Sequence, residues 1–114
     1  CVDHMADAHT GAPDEVQALL ALARYPRVYV KISHTWSISQ EEYPWRDTWG
    51  LVRRVYEAFG ARRIMFSTDW PVSLARTSYD RTVRVVRDEM DVWAEGDLEW
   101  VMGGTALRLW PFAL

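Results

Sequence analysis

The chain has 114 residues, 49% apolar and 25% charged, with a formal net charge of −3. That length holds one domain of the usual size, about 100–150 residues, and the apolar share excludes intrinsic disorder. Thirteen basic against sixteen acidic residues and a single cysteine exclude a nucleic-acid-binding basic patch and an internal disulfide. No apolar run approaches the roughly 20 residues that span a bilayer. A cytoplasmic chain without nucleic-acid or membrane partners is expected.

In chain order, Cys1–His4 reads as the last residues of a strand. Pro13 opens a helix with Asp14 and Glu15 in its first turn, and Val16, Leu19, Leu20 and Ala23 repeat at helical spacing over 13–24. Tyr25-Pro26 ends it, because a residue before proline is pushed out of the helical region. Arg27–Ser33 is a mostly β-branched run that reads as a buried strand. A long loop over 34–46 follows, and Asp47 is the expected cap of a helix whose stripe is Trp49, Val52, Val55, Tyr56 and Phe59, stopped by Gly60.

Arg63–Thr68 is a further buried strand, leading into Asp69-Trp70-Pro71. Ser78 caps a predicted helix over 79–90 with Tyr79, Val83, Val86 and Met90 on its apolar face. A short helix over Glu95–Met102 is expected to break at Gly103-Gly104, after which Thr105 caps a last turn to Trp110. Apolar strands alternating with amphipathic helices imply a parallel α/β sheet. Three strands covered on one face leave the other bare, so either self-association through that face or further βα units are expected. The seven tryptophans and the strand without a beginning likewise suggest a piece of something larger.

In parallel βα folds, reactive groups gather where strands hand over to loops. Here those positions are His4, the segment Lys31–His34, and Asp69. If the first and third strands flank the middle one, their axes lie about 9–10 Å apart. A histidine and a carboxylate across that gap suit acid–base work on a carbonyl, with or without a metal.

Four stretches carry a family resemblance: Val2-Asp3-His4-Met5, Val28–Ser33, Ala58–Pro71 and Gly103–Trp110. The most specific is Phe59-Gly60, then Arg63, an apolar strand and Ser67-Thr68-Asp69-Trp70-Pro71. Together they resemble the final third of amidohydrolase family 2, the TIM-barrel metal-dependent hydrolases and sugar lactonases. The resemblance implies that residues 1–114 are the C-terminal part of one barrel domain, from strand 6 through helix 8 of a (β/α)8 fold. A complete barrel of this kind needs about 250 residues.

By the same resemblance His4 ends strand 6, Lys31 lies within strand 7 and Asp69 ends strand 8. The strand-8 aspartate binds a metal or takes the proton of the attacking water, and the strand-6 histidine contacts or activates the substrate. The implied cofactor is a divalent metal, zinc first among candidates, held weakly by this chain alone because the strand-1 His-x-His pair is absent. His34 stands where the family often carries glycine or another small residue, and its role stays open.

Each residue also has a plainer reading. Asp69 fits a turn before Trp-Pro, and His4 fits a hydrogen-bonded structural histidine. His9 reads as exposed, and Lys31 as one half of a structural ion pair. Trp36, Tyr43, Arg46 and Trp70 are the expected substrate-binding residues, Arg46 as a carboxylate clamp. For Arg46 a salt bridge to Asp47 or Glu42 is the alternative. For Trp36, Trp45 and Trp70 it is loop packing. Trp49, Trp93, Trp100 and Trp110 are expected in the core. Two functions follow from the sequence: a hydrolase acting on a lactone, ester or amide through activated water, or an inert barrel piece that must associate to act. Decarboxylation by a relative of the same superfamily is the remaining alternative.

Overall fold

The sheet is built on two short β-branched and apolar runs, Val30–Ile32 (β1) and Ile64–Phe66 (β2), which pair in parallel with Val30 opposite Ile64. The computed structural model describes residues 1–112. On the other side of β1 the expected first strand contracts to one parallel bridge, Val2 to Val30, closed by Val2 N–H to Tyr29 O at 2.7 Å and Lys31 N–H to Val2 O at 2.9 Å. Pairing stops there because His4, Met5, Ala6 and Asp7 all take positive φ, winding Asp3–Asp7 into a tight left-handed turn. The strand order of the sequence reading therefore holds, with Val2 and β2 flanking β1, but the strands are shorter than predicted.

The helices are α1 (Pro13–Ala21), α2 (Thr35–Ile38), α3 (Trp49–Phe59), α4 (Tyr79–Arg84), α5 (Asp97–Glu99) and α6 (Thr105–Leu109). Val16 and Leu19 of α1, Leu51, Val52, Val55 and Phe59 of α3, and Val85, Val86 and Val101 are buried in one cluster with Val30, Ile32 and Ile64. Gly60 ends α3 with φ 76°, a conformation glycine adopts without a Cβ penalty. Arg63 then fastens the turn to the chain before β1, donating to the carbonyls of Phe59, Tyr25 and Ala23. Lys31 pairs with Asp3 at 2.8 Å, which holds the Asp3 carboxyl below its usual range and anchors the segment carrying His4.

Several local expectations are corrected. Asp47 does not cap α3; its carboxylate accepts from Ser39 Oγ and from Gln40 N–H at 2.8 Å, tying down the preceding loop. The 34–46 segment contains the turn of helix α2. Helix α4 runs on through a π turn at Val85–Glu89, which turns Val85 and Val86 inward together. Tyr79, predicted on its apolar face, is 52% exposed, while Thr82 is buried with its hydroxyl donated to Tyr79 O.

Gly103-Gly104 does not break the last helix either, because both lie in a π turn, Trp100–Gly104, that continues into α6. A Cβ on Gly104 would meet the Trp100 ring at 3.0 Å, so the glycine serves close packing. Thr105 is no cap; it is buried and donates its hydroxyl to Ala61 O at 2.9 Å. Trp110 is 51% exposed, and Trp93 lies outside any helix, donating its indole N–H to Val86 O.

Ser78 does cap α4, accepting from Arg81 N–H at 3.3 Å. Ser78→Ala is expected to cost about 1 kcal/mol of stability, read as a lowered urea midpoint; an unchanged midpoint would show that the cap contributes nothing.

Candidate active site

Three left-handed residues bring the site together. His4 (φ 55°) follows the Val2 bridge, His34 (φ 62°) follows β1, and Asp69 (φ 55°) follows β2. All three lie at the carboxyl edge of the parallel strands, as the topology requires. Positive φ in residues with a Cβ costs about 1–2 kcal/mol each, so long-range contacts must over-determine these positions. Those contacts are visible. The imidazole rings of His4 and His34 stack 3.5 Å apart and 2° from parallel. His34 Nε2 lies 2.5 Å from one Asp69 oxygen, and His4 Nε2 lies 4.0 Å from the other. The side chains are partly buried, at 25% exposure for His4, 16% for His34 and 24% for Asp69.

The second nitrogen of each ring is also engaged. His4 Nδ1 lies 2.6 Å from the hydroxyl of buried Ser33, and His34 Nδ1 donates to exposed Asp7 Oδ1 at 3.0 Å. Both histidines thus turn Nε2 towards Asp69. One nitrogen of each and one Asp69 oxygen fall within 4.8 Å of one another, a donor set suited to a divalent cation.

His4 and Asp69 were anticipated from the strand ends, and the side chains close the gap between their strands. The sequence shows the place of His34 at the end of β1 but not the left-handed turn that aims its ring at Asp69. Trp36 stands edge-on to His34 with centroids 5.0 Å apart, and its indole N–H is buried without a partner among the described residues. Trp70 follows Asp69 and is 62% exposed.

Tyr43 and Arg46 make their contacts elsewhere. The Tyr43 hydroxyl donates to Glu89, and burial together with that carboxylate raises its pKa. The Arg46 guanidinium lies 4.7 Å over the Trp49 ring. Trp45 is a core residue at 6% exposure, and His9 is exposed as expected. A cleft beside His34, lined by Ser33, Trp36, Phe66, Ser67 and Thr68, has about 10 Å³ of room. That holds about one water, whereas ligand pockets run to about 300–1,000 Å³, so a substrate must approach the open side of the cluster.

Comparison with known proteins matches the chain to a family. Residues 1–112 match the family model described as amidohydrolase. An L-fucono-1,5-lactonase from Burkholderia multivorans (strain ATCC 17616 / 249) is 34% identical over 101 residues, which cover 80% of this chain and 33% of that protein. An amidohydrolase crystal structure from Burkholderia multivorans with bound zinc superposes with a TM-score of 0.76 at 30% identity, covering 93% of this chain and 41% of the other. One with bound HEPES gives 0.77 at 28%, covering 94% and 42%. An amidohydrolase 2 from Bifidobacterium longum subsp. infantis gives 0.69 at 23% identity, a likeness of fold, with 93% of this chain and 37% of the other covered. The chain therefore spans about a third of the curated relative it matches.

Proposed function

The chain belongs to the amidohydrolase family, and from that premise we propose that it is the C-terminal part of a (β/α)8 hydrolase that opens a lactone with activated water. The observation that carries this reading is the Asp69 carboxylate, held at a strand end against the Nε2 atoms of two histidines. Asp69 accepts the proton of the attacking water. His4, braced by Ser33, sets the position of the carbonyl, and Trp36, its indole N–H buried, backs the His34 ring edge-on. Trp70, beside Asp69, supplies an exposed apolar wall. Tyr43 and Arg46 belong to the outer part of this proposal, as substrate contacts on the loop before α3.

The donor set of His4, His34 and Asp69 fits a divalent cation. A cation there supplies charge that polarises the carbonyl and makes water more acidic. The name of the lactonase relative favours sugar-acid lactones over amides. The test is hydrolysis of 1,5- and 1,4-sugar lactones by the full-length protein, followed by proton release, with aryl esters and amides as controls. Lactone turnover is expected; turnover of amides alone would overturn the lactone reading, and turnover of none would leave the inert-piece alternative.

Self-association belongs to the same proposal. Lys31 and Met65 share the sheet face opposite Val30, Ile32 and Ile64; Lys31 is 35% exposed there and paired with Asp3, while Met65 is 3% exposed. Sedimentation of the 114-residue chain is expected to show concentration-dependent association, and a single species of monomer mass at every concentration would contradict it. No helix among the described residues is long and apolar enough to cross a membrane.

A further inference from the structure

We propose that His34 is a metal ligand, and that with His4 and Asp69 it forms a three-ligand divalent-cation site supplied wholly by this chain, with Asp7 and Ser33 as its outer supports. The assignment rests on the metal-assisted form of the hydrolase reading.

Three observations carry it. The first is that both Nε2 atoms lie on the Asp69 side; because a ring nitrogen binds a cation in the plane of its ring, the two stacked, nearly parallel imidazoles must tilt apart to share one. The second is that each Nδ1 has a fixed partner, Ser33 Oγ for His4 and Asp7 Oδ1 for His34. Metal-binding histidines characteristically give their other ring N–H to such an acceptor, which fixes the tautomer and raises the basicity of the ligating nitrogen. Asp7 accepts and cannot donate, so Nδ1 of His34 carries a hydrogen; Nε2 faces the equally acceptor-only Asp69 carboxylate, and a cation binding there takes the place of the hydrogen between them. The third is the 2.5 Å contact between that Nε2 and Asp69 Oδ2. Two electron-rich atoms at that distance need a positive charge between them, a proton or a metal.

Zinc bonds of about 2.0–2.2 Å require the contacts to even out. The 2.5 Å pair opens and the 4.0 Å approach of His4 to Asp69 closes. Half-buried side chains on loop ends can make that adjustment. The left-handed φ of His34 is explained in the same way, because glycine would take that backbone at no cost but would bring no ligand. Three protein ligands with an open position are the usual arrangement of a catalytic zinc site.

The experiment is titration of the chain with zinc chloride alone, in competition with a chromophoric chelator, and with cobalt(II) chloride for its visible spectrum. One zinc per chain is expected. His34→Gly, which suits the backbone, is expected to weaken zinc by more than about 100-fold, and Asp7→Asn, which leaves all three ligands in place, by about 10–100-fold. Both should change the cobalt spectrum while far-ultraviolet circular dichroism stays the same. Should His34→Gly unfold, the Asp7→Asn titration decides the matter alone. No zinc bound by the wild-type chain, or affinity and cobalt spectrum unchanged in His34→Gly or Asp7→Asn, overturns the proposal and leaves a proton in the short contact. The hydrolase reading is judged separately, by whether lactone turnover in the full-length protein depends on Asp69. A variant chain that keeps its zinc therefore does not decide it.

Discussion

Asp69→Asn is expected to lower lactone turnover by the full-length protein by about 10²–10⁴-fold, the range ascribed to a positioned general base. Asparagine has nearly the shape of aspartate and tolerates the left-handed backbone at this position (φ 55°). It cannot accept a proton from water at neutral pH. The substitution also replaces one of the two carboxylate oxygens that face His4 and His34 with an amide nitrogen. Since Asp69 is 24% exposed and is not a member of the apolar cluster, thermal unfolding should move little. An unchanged lactone rate in a well-folded Asp69→Asn protein would remove Asp69 from the chemistry and with it the proposed function.

Ile64→Ala should destabilise the chain by about 2–5 kcal/mol, the usual result of deleting a buried aliphatic side chain. Ile64 is fully buried, sits opposite Val30 in the β1–β2 ladder and belongs to the one cluster that joins the sheet to α1 and α3. Against a typical domain stability of about 5–15 kcal/mol, that is a large fraction. Urea unfolding followed by tryptophan fluorescence measures it. A loss under about 1 kcal/mol would mean that the surrounding side chains collapse into the space and that the sheet is held chiefly from elsewhere. Because β2 leads directly to Asp69, the same variant should also loosen the His34–Asp69 contact.

The elements legible in the sequence are those whose signal is local. Pro13 with Asp14 and Glu15 announces α1, and the stripe of α3 ends at Gly60 where the chain turns. Ser78 is a cap in sequence and in structure. Lys31, a charge inside an apolar strand, needed a partner and has Asp3. Where the reading failed, the deciding contact is distant or the backbone departs from the regular period. Asp47 looks like a cap but is taken by Ser39 and Gln40. The π turns at Val85–Glu89 and Trp100–Gly104 add a residue to the helical repeat, the first placing Val85 beside Val86 in the core and the second carrying the helix through Gly103-Gly104.

The site divides in the same way. Parallel strands expose their carboxyl ends to loops, so His4 and Asp69 stand out in the sequence from strand endings and a family motif. Their meeting, and the recruitment of His34 and Asp7, do not. His34 lies 35 residues from Asp69 and 27 from Asp7, and His4 lies 29 from Ser33. Strand, helix and turn patterns are written in windows of a few residues, and from these the order of elements and the family follow. The left-handed turns at His4, His34 and Asp69 have no such local cause, since nothing in the intrinsic preference of these residues makes positive φ the favoured state. They exist because β1 sits between Val2 and β2 and the three strand ends arrive side by side. Stacking and hydrogen bonds across those ends then outweigh the backbone cost.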